Sequence, residues 1–172
     1  MLQAKAARPK GKQTMRKSIL NPATIRPEQR AEAQWLALEQ LAKIELTSED
    51  PNFPIEFALS AGKGPGWRAD QKGQQLIRII FDKPTALRLI RIEFSETEVE
   101  RTQEFTLRWS AGVGGPFNEI VRQQWSFSPH GSTSEIEEYQ VNIDNVSVLE
   151  LALKPDLTPA NAVATLLKWR LA

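Results

Sequence analysis

The side chains that most often do chemistry are scarce in this sequence. It has one histidine, His130, and no cysteine. Disulfide scaffolds, thiolate metal centres and cysteine nucleophiles are thereby excluded. A zinc site, which draws on several His or Cys ligands, lacks its donors. A Ser-His-Asp arrangement would need His130 beside a serine, and no nucleophile-elbow pattern accompanies it. His130 instead sits in Ser128-Pro129-His130-Gly131, the composition of a turn tip. Gly62-Lys63-Gly64-Pro65-Gly66 lacks the Gly-Lys-Ser/Thr ending and the following helix of a phosphate loop, and reads as a flexible approach to Trp67. Carboxylates number 21, but no spacing singles out a catalytic pair. The chain is expected to be no enzyme and to carry no metal or cofactor.

Binding chemistry is better represented. A sugar ring offers an apolar face and a rim of hydroxyls, which an aromatic side chain and a few arginine, glutamate or asparagine groups can match. Trp67 and Arg68, then Glu96, Glu98 and Arg101, then His130 supply such groups from segments 60–74, 95–103 and 128–134. If these are alternate connections of an antiparallel sheet, they meet at one end of it and form a polar cleft. Plainer roles stand beside this one. Trp67 would pack as core beneath its loop, and Arg101 would pair with Glu96 or Glu98 at the surface, with little energetic consequence. Trp35, Trp109, Trp125 and Trp169 lie on apolar stripes and are expected in the core.

The elements that must position these groups are mostly strands. With 172 residues, 41 % of them hydrophobic, the chain has room for one domain with a proper core and some chain to spare. Gln75–Asp82 puts Ile77, Ile79 and Phe81 on one face, and Lys83-Pro84 then breaks the pattern. Leu89–Ser95 aligns Ile90, Ile92 and Phe94; Glu104–Ser110 aligns Phe105, Leu107 and Trp109. Glu119–Phe127, Glu137–Ile143 and Thr165–Leu171 alternate similarly, and Val146–Leu153 is apolar enough for a central position. A short strand near Ile55–Ser60 brings the count to about eight. Alternation of this kind marks strands with one buried and one wet face. Without intervening helical segments the expected fold is an all-β antiparallel sandwich or jelly roll over residues 47–172.

The N-terminal part differs. From Pro27 to about Ile44, within a segment 27–46, Ala31, Trp35, Leu38 and Leu41 recur at helical spacing, predicting an amphipathic helix packed on the sandwich. Residues 1–26 carry seven basic side chains and no acidic one, leaving 15 basic and 21 acidic residues beyond them. This basic tail is expected to be solvated and disordered. No apolar run approaches the ~20 residues of a membrane span, and the tail lacks the apolar stretch of a secretory signal. A cytoplasmic location without membrane association is therefore expected.

Three stretches resemble a known family. Ala58-Leu59-Ser60-Ala61-Gly62-Lys63-Gly64-Pro65-Gly66-Trp67-Arg68 resembles the alanine-leucine-aspartate-glycine loop closing on tryptophan in discoidin-type (coagulation factor type C) domains of the galactose-binding-like superfamily. Gln74–Phe81 is similar to the strand after that tryptophan, and Leu166-Leu167-Lys168-Trp169-Arg170-Leu171 to the closing strand. Together they span about two-thirds of the chain in order. The resemblance implies a ligand-binding β-sandwich. The family's loop often carries an aspartate that helps cage a structural calcium; Ser60 stands at that position here, so calcium is not expected. Intracellular members act as protein- or DNA-binding scaffolds. Two functions follow: a non-catalytic module binding a glycan or sugar-like molecule through its end loops, or an interaction scaffold whose tail, residues 1–26, reaches nucleic acid or an acidic protein.

Overall fold

The computed structural model describes residues 34–158 and 162–172. The basic tail and the first part of the expected helix lie outside them. The described chain holds eight strands: β1 (Ala42–Leu46), β2 (Trp67–Lys72), β3 (Gln75–Ser95), β4 (Arg101–Ser110), β5 (Asn118–Phe127), β6 (Ser134–Lys154), β7 (Val163–Leu166) and β8 (Lys168–Leu171). Two helical turns, α1 (Leu38–Leu41) and α2 (Glu56–Leu59), flank β1. The main sheet runs β1-β3-β6-β4-β5 with β8 also on β3, and β2 pairs with β7 apart from it. Every pairing is antiparallel. The expected all-β sandwich is the observed class.

Two long strands make the two layers. The expected break at Lys83-Pro84, and the gap left at Asp144-Asn145 between the strands expected over Glu137–Ile143 and Val146–Leu153, do not end strands; they fall where β3 and β6 bend together, with register shifts between Ile80 and Leu89. Before the bend the odd residues Ile77, Ile79 and Phe81 are buried, and after it the even residues Ile90, Ile92 and Phe94 are. Extra residues at bulges reverse which side chains face inward, so each long strand serves both layers with its apolar set facing the core. The first half of β3 pairs with β1 and the second with β8. Between the layers Phe94 and Phe105 meet at 5.3 Å, with Trp67, Trp169, Phe127 and Leu107 buried around them. As its apolar run suggested, the second half of β6 is central, between β3 and β4. On its outer face the fully buried Glu150 carboxylate accepts from Arg78 Nε (2.6 Å) and Arg108 Nε (2.5 Å) on the two adjacent strands. Both guanidinium groups also lie over the Phe117 ring.

Four local expectations are corrected. The helix predicted to Ile44 is, within the described residues, only the single turn α1, and Ala42–Leu46 is a strand. Ala42, Ile44 and Leu46 also alternate with Lys43 and Glu45, and pairing with the free edge of β3 decides between the two periods. The strand expected near Ile55–Ser60 is the helical turn α2, set up after Pro54 and burying Ala58 and Leu59. Segment 60–74, expected as a loop throughout, contains β2, where Trp67 and Ala69 alternate with exposed Arg68 and Asp70. Thr165–Leu171 is two strands, β7 and β8, parted at Leu167 as the chain passes from β2 to β3.

Candidate functional site

Three strand ends build a cleft at one end of the sandwich. Gly66 begins it: its φ of +80° is a left-handed conformation that side chains disfavour, and a Cβ there would lie 2.5 Å from Leu166 O. This close approach to β7 delivers Trp67 into the core and leaves the next side chain, Arg68, outside. Segment 50–54 folds back on β2 through Arg68 N–H to Phe53 O (3.1 Å) and Asp50 N–H to Arg68 O (2.9 Å). The Arg68 guanidinium consequently lies 5.5 Å from the centre of the Phe53 ring. Opposite them the connection from β3 to β4 supplies Ser95, Glu96, Thr97 and Glu98. The space between is about 310 Å³, with Pro65 and Thr165–Leu167 completing its wall.

Glu96 organises that connection. Its Oε1 accepts the amides of Glu98 (2.9 Å) and Val99 (3.1 Å), and its Oε2 accepts from Arg101 Nε (3.0 Å). Burial pushes the Glu96 carboxyl up, but those amides and the guanidinium outweigh it and hold it below its ordinary value. Arg101 is 4 % exposed. It continues the inward face of Phe105 and Leu107 along β4, lies over the Phe127 ring, and donates to Pro155 O (2.5 Å) and Thr165 Oγ1 (3.3 Å). It is thus a buried clamp and not the surface ion pair that the sequence allowed.

The six sequence-predicted residues therefore part company. Trp67, Arg68, Glu96 and Glu98 line one cleft, with Trp67 as a buried wall. Arg101 stands behind it. His130 is exposed on the 128–134 loop; Glu96 N–H to Thr133 O (2.8 Å) ties that loop to the site, yet His130 does not line the cleft. Among the described residues, Arg68 and Glu98 have no ion-pair partner, so a guanidinium donor and a carboxylate acceptor are free to meet a ligand beside an aromatic ring. Phe53 is the residue that sequence reasoning missed. Its flanking prolines in Pro51-Asn52-Phe53-Pro54 mark a rigid loop, but only the bonds to β2 aim the ring.

Below the cleft, the loop resembling the calcium-caging one is bridged by a side chain. Lys168 Nζ donates to the carbonyl oxygens of Phe57 (2.6 Å), Ser60 (3.3 Å) and Gly62 (2.5 Å). Burial, followed by the nearby Arg170, holds the Lys168 ammonium below its ordinary value. No cluster of three or more acidic or histidine side chains suited to a metal occurs among the described residues.

No protein-family model and no curated protein sequence matches the chain. Solved structures do. A family 32 carbohydrate-binding module of AlyQ, in complex with 4,5-unsaturated mannuronic acid, superposes with a TM-score of 0.57 at 12 % identity, over 77 % of this chain and 95 % of that one. The family 32 module of Clostridium perfringens NanJ, in complex with galactose, gives 0.56 at 12 % identity over 80 % and 96 %. A C. perfringens module in complex with GalNAc-β-1,3-galactose gives 0.58 at 14 % identity over 80 % and 98 %. The chain therefore has the discoidin-like, galactose-binding-like β-sandwich fold that these carbohydrate-binding modules share.

Proposed function

We propose that this domain is a non-catalytic carbohydrate-binding module whose end cleft holds a sugar ring between Phe53 with Arg68 on one side and the Ser95–Glu98 connection on the other. The observation that carries the reading is the free Arg68 guanidinium lying over Phe53 in the cleft that Glu98 also lines, in a fold whose solved neighbours hold galactose, GalNAc-β-1,3-galactose and an unsaturated mannuronic acid. Arg68 donates to ring hydroxyls, Glu98 accepts from them, and the Phe53 ring covers an apolar face. The cleft's two free charges are of opposite sign, which suits a neutral sugar better than a uronate.

Calorimetric titration of the full chain with galactose, N-acetylgalactosamine and a mannuronate oligosaccharide, after a glycan-array screen, tests this. Binding is expected to weaken at least tenfold in both Arg68→Ala and Glu98→Ala, with melting unchanged because both side chains are exposed. A folded full chain that binds no glycan on the array sinks the reading, as does sugar binding indifferent to both substitutions.

A further inference from the structure

A second recess lies along the opposite side of β1 from β3. It measures about 570 Å³, and its floor is apolar, formed by Leu38, Ile44, Leu46, Ile55 and Leu59 between β1 and α2. Among the described residues its rim carries Glu39, Glu49 and Glu56 and no basic side chain. Glu49 Oε2 accepts the Ile55 amide (2.7 Å), whereas Glu39 and Glu56 are exposed and have no ion-pair partner among the described residues. The recess is thus negatively charged around an apolar base, chemistry that favours a positively charged, partly apolar occupant.

The backbone of β1 adds directionality. Among the described residues this strand ends the main sheet, paired with β3 alone. Thr47 N–H donates to Leu76 O (3.1 Å), so odd-numbered residues here bond towards β3, and the amides of Ile44 and Leu46 point away from it. Among the described residues nothing accepts from either. A free strand edge bordering an apolar, acidic-rimmed groove is a template for adding a strand.

We propose that this groove docks an extended segment of a partner protein in which apolar and basic residues alternate, added as a further strand alongside β1. The partner's main chain bonds Ile44 and Leu46, its apolar residues enter the floor, and its cations meet Glu39 and Glu56. This surface is separate from the sugar cleft, so the domain can hold a glycan and a protein at once.

The test is a titration of the full-length chain with an end-capped Lys-Ile-Lys-Ile-Lys-Ile peptide, followed by methyl shifts of Ile44, Leu46 and Leu59, with Glu-Ile-Glu-Ile-Glu-Ile as control. Saturable shifts confined to those methyls are expected with the basic peptide alone. Affinity should fall at least fivefold in Glu39→Gln/Glu56→Gln, a pair of surface changes that leaves folding intact, and on raising salt. Ile44→Pro removes an outward amide that the sheet does not use, a change edge strands tolerate, and should abolish binding. Absence of groove shifts, equal binding of the acidic peptide, or cross-links placing residues 1–26 of the same chain in the groove would each overturn the proposal.

Discussion

Lys168 Nζ lies 2.5 Å from the carbonyl oxygen of Gly62, with Phe57 O and Ser60 O completing three acceptors around one ammonium. The last strand of the domain thereby fastens the loop that leads to Trp67. Hydrogen bonds from a charged donor each contribute about 1.5–3 kcal/mol. Because this site is partly open to water, Lys168→Met is expected to cost only about 2 kcal/mol in total. Urea unfolding, with amide exchange across residues 57–62, measures it; unchanged exchange there would mean that the loop holds itself.

Gly66 is a tight backbone position at the start of the cleft. Alanine at this residue combines a disfavoured φ of +80° with a Cβ 2.5 Å from Leu166 O. Backbone cannot move aside as a side chain can, so a loss of roughly 3 kcal/mol or more is expected for Gly66→Ala. Gly62→Ala, with nothing within 4 Å of its added Cβ, is the matched control and should be nearly neutral. Thermal melts of the pair decide it.

Arg101 is a folding residue before it is anything else. Removing one partner of a buried, hydrogen-bonded ion pair costs about 3–5 kcal/mol. Arg101→Ala would strand the Glu96 carboxylate and Pro155 O, so it is expected to lower the melting temperature sharply. Any loss of sugar binding in that variant reports the collapse of the Ser95–Glu98 connection, which circular dichroism detects independently of ligand.

Glu135 gives the domain a pH dependence. Its carboxyl is pushed up to about 7, first by burial and then by the neighbouring Glu137, against the pull of the Gln103 and Gln123 amides. Gln123 Nε2 bridges Glu135 (3.1 Å) and Glu137 (2.9 Å), and Tyr139 donates to Gln123 Oε1 (2.6 Å). Between the ordinary value of 4.5 and about 7 the folded state binds the extra proton, so stability falls as pH rises through that window and levels off above it. The loss is on the order of 2–3 kcal/mol. Urea midpoints at pH 5 and pH 8 measure it, and Glu135→Gln should flatten the difference; an unchanged slope would assign it to another group.

Much of the architecture was written in the order of side chains. Period-two alternation from Gln75 to Leu171 specifies strands because successive side chains point to opposite faces, and it marks Ile77, Ile79, Phe94, Phe105, Leu107 and Trp169 as core residues. The same alternation, carried two steps back from Phe105, already points Gln103 and Arg101 inward. Composition alone removed cysteine chemistry and left a single histidine.

Pairing partners were beyond the sequence, because they lie far apart along the chain and local propensity is too weak to choose them. Ala42–Leu46 fits a helix or a strand equally by pattern, and only the open edge of β3 settles it. Asp144-Asn145 looks like the end of a strand, yet β3 across the bend carries β6 through it. The cleft depends on distant neighbours in the same way. Phe53 reaches Arg68 through bonds between segment 50–54 and β2, and His130, exposed on its turn, does not line the cleft. Side-chain order determined which faces are apolar; tertiary pairing, which alone brings remote segments together, decided which polar groups share a site.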